Sequence, residues 1–232
     1  MFFSGIQKSS LIDYPGKVSC ILFVSGCNFT CPYCHNPELA LGRKTNLPSI
    51  SEDDALKFLS QRKGLLDGVV ITGGEPTLQA DLTNFCRKVK ALAFPIKLDT
   101  NGSRPETLRQ LLHDQLIDYI AMDIKTDPNR YAPHLSANRI GPRLMESIQV
   151  ILETTAYHEF RTTCLSPFVD ADTIGRIARL IQGAHLYVLQ NFQEKRVLDP
   201  EFIQNNAHRY SAETMAEFQS LAKHHVKRCI IR

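Results

Sequence analysis

Short apolar runs alternate with longer stretches of mixed polarity along most of the chain. The apolar runs predict strands at residues 18–24, 68–72, 95–99, 118–123, 158–164 and 186–190, with a closing strand at 228–231. The stretches between them predict helices that begin near Ser51 and Arg104 and helices at residues 81–93, 142–154, 170–181 and 212–224. Strands that alternate with helices indicate a parallel sheet, either doubly wound or curled into a barrel.

Polar residues at the strand ends favour the barrel. The strand-end residues are Glu75, Asp99, Asp123 with Lys125, and Gln190, while Arg161 lies within the fifth predicted strand. These side chains converge on one cavity only if the sheet curls, whereas a doubly wound sheet gathers its ligand groups at one switch point. A complete eight-unit barrel usually takes about 250 residues. We therefore expect an α/β fold, an incomplete (βα)6 TIM-like barrel with a parallel sheet open on one side, in one domain spanning residues 1–232.

Composition and charge exclude several classes of partner. Hydrophobic residues make up 43% and charged residues 22%, which is typical of a globular protein. The net charge of +3 is too small to indicate nucleic acid or a membrane as the main partner. Neither a signal peptide pattern nor a run long enough to span a membrane is present. We expect a cytoplasmic protein.

Three of the seven cysteines crowd into one short segment, at Cys27, Cys31 and Cys34. Thiolates bind soft metals and iron–sulfur clusters, and close spacing allows one loop to wrap around the metal. A structural zinc site that also uses His35 is the alternative. Adjacent Cys34 and His35 reach a single tetrahedral ion poorly, so the spacing favours a cluster over zinc and leaves both open.

The other four cysteines are scattered singly among apolar neighbours, at Cys20, Cys86, Cys164 and Cys229. In a reducing compartment disulfides are disfavoured, and a lone cysteine usually behaves as a small apolar residue. We expect these four to be buried packing residues.

A glycine-rich turn follows the second predicted strand and contains Gly73, Gly74 and Glu75. Two glycines allow a ligand to approach the backbone closely, although a turn of this kind also commonly just ends a strand. It is not a phosphate-binding P-loop, because the Lys-Ser/Thr pair of that motif is absent.

The remaining charged candidates could bind a small charged molecule. Taken singly, Asp99 and Asp123 are typical of turns or helix caps. Together with Lys125 they could hold a ligand that carries both an ammonium and a carboxylate group. Arg161 alternates in phase with Glu159 and so faces the same way, which leaves a ligand role and a structural ion pair equally open.

These motifs, in this order, resemble the radical SAM superfamily. The carrying residues are the Cys-x3-Cys-x2-Cys spacing of Cys27, Cys31 and Cys34 and the Gly-Gly-Glu-Pro turn that begins at Gly73. A finer resemblance, at residues 13–17 and 34–38, is to the glycyl-radical-enzyme activating proteins, above all those that act on anaerobic ribonucleoside-triphosphate reductase.

The resemblance implies one [4Fe–4S] cluster and S-adenosylmethionine (SAM) as cofactors. Cys27, Cys31 and Cys34 would ligate three irons, and the amino and carboxylate groups of SAM would chelate the fourth. The residues implied to contact SAM are Tyr33 beside the adenine, Gly73, Gly74 and Glu75 at the amino group, Asp99, Asp123 and Lys125 at SAM or a nearby cation, and Arg161 facing the same cavity.

The resemblance also implies the chemistry. A low-potential donor such as flavodoxin or ferredoxin would reduce the cluster, and SAM would be cleaved to methionine and a 5′-deoxyadenosyl radical. That radical would take a hydrogen atom from a glycine of a glycyl radical enzyme, the expected partner. Such a reaction needs no side-chain acid or base, and the motifs contain no Ser/His or His/Asp constellation.

Three other functions remain open from the sequence. The chain could activate a different glycyl radical enzyme such as pyruvate formate-lyase, but it lacks the histidine-containing segment of those activating enzymes at residues 189–193. It could act on a small molecule, as a deazapurine synthase does, which the Cys34–Glu38 run argues against. From a different class, it could be a zinc-binding interaction module.

Overall fold

A computed structural model of the chain describes residues 1–42, 49–193 and 196–232. The strands are β1 (Phe2–Phe3), β2 (Gly5–Ser10), β3 (Ser19–Val24), β4 (Ile50–Ser51), β5 (Gly68–Gly73), β6 (Ile96–Thr100), β7 (Tyr119–Asp123), β8 (Tyr157–Ser166), β9 (Leu186–Asn191), β10 (His208–Arg209) and β11 (Cys229–Ile231). The helices are α1 (Pro37–Ala40), α2 (Glu52–Gln61), α3 (Leu82–Ala91), α4 (Pro105–His113), α5 (Gly141–Leu152), α6 (Ala171–Leu180), α7 (Pro200–Asn206) and α8 (Ala212–Ala222).

One large sheet organises the described residues, with strand order β11-β9-β8-β7-β6-β5-β3-β2 and β10 paired to β8. The strands from β3 to β11 along this order pair in parallel, and β2 pairs antiparallel to β3 at one edge. The two end strands, β2 and β11, do not pair with each other in the described part of the chain. The expected partial barrel with an open side is confirmed.

Local signals in the sequence begin several of the helices as expected. The Ser51 hydroxyl accepts a hydrogen bond of 3.1 Å from the backbone N–H of Asp54, which caps the start of α2. Pro105 is the first residue of α4, a position where its missing N–H costs nothing. The predicted strands agree with the observed ones to within one or two residues at each end.

The main hydrophobic core lies between the outer face of the sheet and the surrounding helices. Its fully buried members include Leu22, Phe85, Leu98, Phe160 and Ile177. A smaller cluster of Tyr14, Ile21 and Val70, with Phe23 and Tyr119 packed against it, is separate from this core. Among the described ranges, no helix is long and apolar enough to cross a bilayer.

The scattered cysteines behave largely as expected. Cys20, Cys86 and Cys164 are buried, and Cys229 is only partly buried. Burial raises the pKa of the Cys86 thiol to about 12, so it stays protonated and unreactive at neutral pH. These residues fill space in the packing rather than contribute to the cysteine-rich loop.

Candidate functional site

The three clustered cysteines lie on one loop at the carboxyl end of β3. The loop is folded back against α1, because the N–H of Gly26 donates to the carbonyl of Leu39 (2.7 Å) and the N–H of Cys27 donates to that of Ala40 (3.0 Å). Cys27, Cys31 and Cys34 all border a single cavity of about 380 Å³. The fold therefore brings three thiols to one space.

The cavity is lined by all the residues that the sequence analysis named as cluster ligands or as contacts of SAM. Its walls include Cys27, Cys31, Cys34, Tyr33, Gly73, Gly74, Glu75, Asp99, Asp123, Lys125, Arg161 and Gln190. They come from the carboxyl ends of β3, β5, β6, β7, β8 and β9, which share one rim because these strands are parallel.

Cys31 is buried, whereas Cys27 and Cys34 are only partly buried. Burial raises the pKa of the Cys31 thiol to about 12 and also raises that of Cys27. The Cys27 sulfur accepts a hydrogen bond of 3.4 Å from the N–H of Phe29 and one of 3.7 Å from the side-chain amide of Asn101. Such thiols ionise when a metal replaces their protons, so the donor set fits a thiolate-bound iron–sulfur group.

The geometry argues against a single zinc ion. In the described part of the chain, no three His, Cys, Asp or Glu side chains are close enough together to hold one ion. His35, the fourth ligand of the zinc alternative, bonds through Nε2 to the carbonyl of Gln193 (2.9 Å) and stacks on Phe192 with ring centres 5.5 Å apart. A cluster distributes its thiolate ligands over separate irons and therefore tolerates this wider arrangement.

The two glycines after β5 are required by the packing of the chain against itself. A Cβ on Gly73, whose φ is +117°, would lie 2.3 Å from the carbonyl oxygen of Val24. A Cβ on Gly74 would lie 2.2 Å from the carbonyl oxygen of Gly26. The turn thus packs directly on the cysteine loop, which gives both glycines the structural role that the sequence left open beside ligand approach.

The Glu75 carboxylate is fully buried and is occupied by contacts within the chain. Oε1 accepts hydrogen bonds from the Thr77 N–H (3.1 Å), the Thr77 hydroxyl (2.6 Å) and the Thr100 hydroxyl (2.7 Å), and Oε2 accepts one from the Asn101 N–H (2.6 Å). Burial raises the pKa of this carboxyl, although the four donors favour its charged form. The side chain ties the turn after β5 to the turn after β6.

Arg161 joins two carboxylates at the bottom of the cavity. Its Nε donates to Asp123 (2.7 Å) and its Nη1 donates to Asp99 (3.4 Å), while the Lys125 ammonium lies 3.3 Å from the other oxygen of Asp123. Arg161 therefore makes the structural ion pair that the sequence left open, and it also borders the cavity.

This network fixes the charges that face the cavity. Burial alone opposes ionisation of Asp123, but the charges of Arg161 and Lys125 outweigh it and hold its pKa well below the ordinary 3.8. Burial likewise opposes ionisation of Asp99, but the charges of Arg161 and Lys97 outweigh it and lower the pKa of this carboxyl. At neutral pH both carboxylates and both cavity cations are charged.

Tyr33 borders the cavity and carries a buried polar atom that lacks a partner in the described part of the chain. Its ring packs on Phe168 with centres 5.3 Å apart, and its hydroxyl is buried without a hydrogen-bond partner among the described residues.

Two contacts of the site were missed by sequence reasoning. Asn101 bonds the side chain of Asn28 (3.0 Å) and so connects the turn after β6 to the cysteine loop. The Asn101-Gly102 pair after β6 is an ordinary turn signal, and nothing in it indicates this second role. On the far side, the N–H of Asp199 donates to the carbonyl of Pro32 (3.0 Å), which seats the start of α7 on the same loop.

Comparisons with known protein sequences point to one family. The model of the radical SAM superfamily matches residues 21–180. The chain is 34% identical to the Methanocaldococcus jannaschii protein named "Putative glycyl-radical enzyme activating enzyme MJ1227", over 99% of this chain and 95% of that protein. It is 31% identical to the pyruvate formate-lyase-activating enzyme of Listeria monocytogenes, over 52% of this chain and 51% of that enzyme.

A solved structure shows the same fold. Streptococcus suis SuiB bound to S-adenosylmethionine superposes with a TM-score of 0.68 at 15% identity, over 91% of this chain and 51% of that one. The family model covers most of the chain, and one relative matches nearly its whole length. The chain belongs to the radical SAM superfamily, as a homologue of the glycyl-radical enzyme activating enzymes.

Proposed function

We propose that the chain is an activating enzyme that generates a glycyl radical on anaerobic ribonucleoside-triphosphate reductase, with residues 1–232 acting as one radical SAM domain. The observation that carries the proposal is the meeting of three thiols and a set of strand-end charges in one cavity. The whole-length relative supports the activating class. The resemblance of residues 13–17 and 34–38 supports the reductase as the partner.

Cys27, Cys31 and Cys34 would hold a [4Fe–4S] cluster by three of its irons. The amino and carboxylate groups of SAM would complete the coordination of the fourth. When bound, the cluster supplies an electron to SAM, and SAM supplies the hydrogen-abstracting chemistry. Asn101 and the Phe29 N–H would offer hydrogen bonds to the Cys27 sulfur of this centre.

The charged network would orient SAM. Asp99 and Asp123 present carboxylates and Lys125 presents an ammonium, so the wall offers both signs of charge to the methionine end of SAM. Because the Glu75 carboxylate is committed within the chain, we assign the contact with the SAM amino group to the backbone of Gly73, Gly74 and Glu75. The ring of Tyr33 would lie beside the adenine, and Arg161 would hold the two aspartates in place.

The open side of the barrel suits a substrate that is a loop of another protein. The partner's glycine would enter between β2 and β11, the two sheet edges that do not pair. The work of the chain is then to position SAM against this glycine and to exclude water. A low-potential protein such as flavodoxin or ferredoxin would supply the electron.

The test is anaerobic incubation of the reduced, cluster-loaded protein with SAM and a purified candidate partner, followed by electron paramagnetic resonance. A glycyl radical doublet that appears only with anaerobic ribonucleoside-triphosphate reductase supports the proposal. No doublet with any glycyl radical enzyme overturns the activating function.

Activation of pyruvate formate-lyase is the second candidate. The observation that favours it is the 31% identity to the Listeria activating enzyme, which extends over only half of this chain. The same experiment separates the two, because a doublet on pyruvate formate-lyase alone would assign the chain to that partner.

A further inference from the structure

A buried lysine lies beneath the cavity and has no place in the function described so far. Lys97 is on β6, two residues before Asp99, so both side chains extend from the same face of the sheet. Lys97 is 2% exposed. Its ammonium bonds the Asp99 carboxylate, which is the one acidic partner it has among the described residues, and lies 5.9 Å from the centre of the Tyr119 ring.

The contacts of Lys97 belong to a closed ring of side chains. The other oxygen of Asp99 pairs with Arg161 (3.4 Å), and Arg161 lies 3.9 Å from Glu159. Glu159 accepts a hydrogen bond of 2.9 Å from the hydroxyl of Tyr119, whose ring faces Lys97. Each oxygen of Asp99 is therefore held by a different cation.

The ring divides into members at the cavity wall and members behind it. Asp99 and Arg161 border the cavity, whereas Lys97, Glu159 and Tyr119 do not. The carboxylates of Asp99, Asp123 and Glu159 pair with four cations, which are Lys97, Arg161, Lys125 and Arg232. Removal of the Lys97 charge takes the cation from one oxygen of the buried Asp99 carboxylate and leaves Arg161 at the other.

We propose that Lys97 is a positioning residue of the SAM site, which acts by fixing the Asp99 carboxylate at the cavity wall. The proposal depends on the proposed function only for the identity of the ligand. Lys97 does not touch the ligand, and its effect on binding passes through Asp99.

The experiment measures the dissociation constant of SAM for the full-length, anaerobically reconstituted protein. Lys97→Met removes the charge and keeps an apolar side chain of similar length, and we expect it to weaken SAM binding by about tenfold or more. Lys97→Arg restores the charge and should bind within about threefold of the wild type. Lys88→Met, on the exposed face of α3, is the matched control and should bind as the wild type does.

A double-mutant cycle tests whether Lys97 acts through Asp99. In an Asp99→Asn background, Lys97→Met should cause no further loss of SAM affinity. An equal loss in both backgrounds would indicate a merely structural role and would overturn the proposal. If Lys97→Met alone fails to fold, the charge-neutral double variant is compared with Asp99→Asn alone, and a further loss in that pair overturns the proposal as well.

The outcomes also separate this inference from the proposed function. Failure of the wild-type protein to bind SAM overturns both. Binding by the wild type with unchanged affinity in Lys97→Met overturns the role of Lys97 and leaves the proposed function standing.

Discussion

Glu75 accepts a hydrogen bond of 2.6 Å from the backbone N–H of Asn101, which joins the ends of two neighbouring strands beside the cysteine loop. The carboxylate is fully buried, and its other oxygen accepts from two threonines. An acidic residue in a glycine-rich turn suggests a ligand-binding role. The carboxylate of Glu75 instead accepts hydrogen bonds from within the chain and links the turn after β5 to the turn after β6.

Glu75→Gln tests whether the hydrogen bonds of the Glu75 carboxylate stabilise the protein. The amide keeps the shape of the side chain but replaces one acceptor oxygen with a donor, so one buried N–H or hydroxyl loses its partner. We expect the free energy of unfolding of the metal-free protein to fall by about 1–3 kcal/mol in denaturant titrations. Glu217→Gln, the same change on an exposed side chain of α8, should alter it by less than about 0.5 kcal/mol. Equal stability of Glu75→Gln and the wild type would show that these hydrogen bonds do not stabilise the protein.

Gly74→Ala should disturb the cysteine loop, because the added Cβ would lie 2.2 Å from the backbone of Gly26. We expect a loss of stability of at least about 1–3 kcal/mol and a lower iron content after reconstitution. Gly175→Ala, inside α6 with its nearest neighbour 3.6 Å away, is the control and should raise stability by up to about 1 kcal/mol. Full iron loading of Gly74→Ala would show that the contact does not shape the loop.

His35→Ala separates a cluster from a zinc site. The histidine ring is turned to Gln193 and Phe192, so its removal should cost about 1 kcal/mol of stability and leave iron binding unchanged. Metal analysis of the purified, reconstituted variant is the measurement. Loss of bound metal would make His35 a ligand, as the zinc alternative requires.

The decrease in the free energy of unfolding at acidic pH should depend on Asp123. Its folded pKa lies below the ordinary 3.8, so its stabilising contribution is present above that value and is lost as the pH falls towards the folded pKa. We expect the free energy of unfolding of the metal-free protein to decline below about pH 4, and Asp123→Asn to flatten that decline. Asp172→Asn, with an exposed side chain, controls for the loss of one negative charge. If the free energy of unfolding of Asp123→Asn declined below about pH 4 as steeply as that of the wild type, the stabilising role of the Asp123 ion pairs would be contradicted.

Strands and their polar ends were accessible to sequence reasoning because each buried strand is a continuous apolar run. β5, for example, was predicted at residues 68–72 and is observed at Gly68–Gly73. In contrast, β2 was missed because half of its six residues are polar and exposed, as suits an antiparallel edge strand. The short helix α7 was missed because it buries no residue and so leaves no amphipathic pattern.

The site was predicted in its membership but not in its internal contacts. From the residue types and their places near strand ends, Cys31, Asp99 and Arg161 were predicted to border one cavity, as they do. The roles of Gly74 and Glu75 arise from distances between segments far apart in the chain, which no local pattern records. The buried Lys97 was also missed, because in sequence it is only a polar residue within a strand.

The most direct test of the central claim is the iron, sulfide and zinc content of the anaerobically reconstituted protein and two cysteine variants. About four irons and four sulfides per chain are expected for the wild type and for Cys86→Ala, whose thiol is buried under α3 away from the cavity. Cys31→Ala should bind no intact cluster. A single zinc ion in the wild type, or loss of the cluster in Cys86→Ala, would contradict the assignment of Cys27, Cys31 and Cys34 as its ligands.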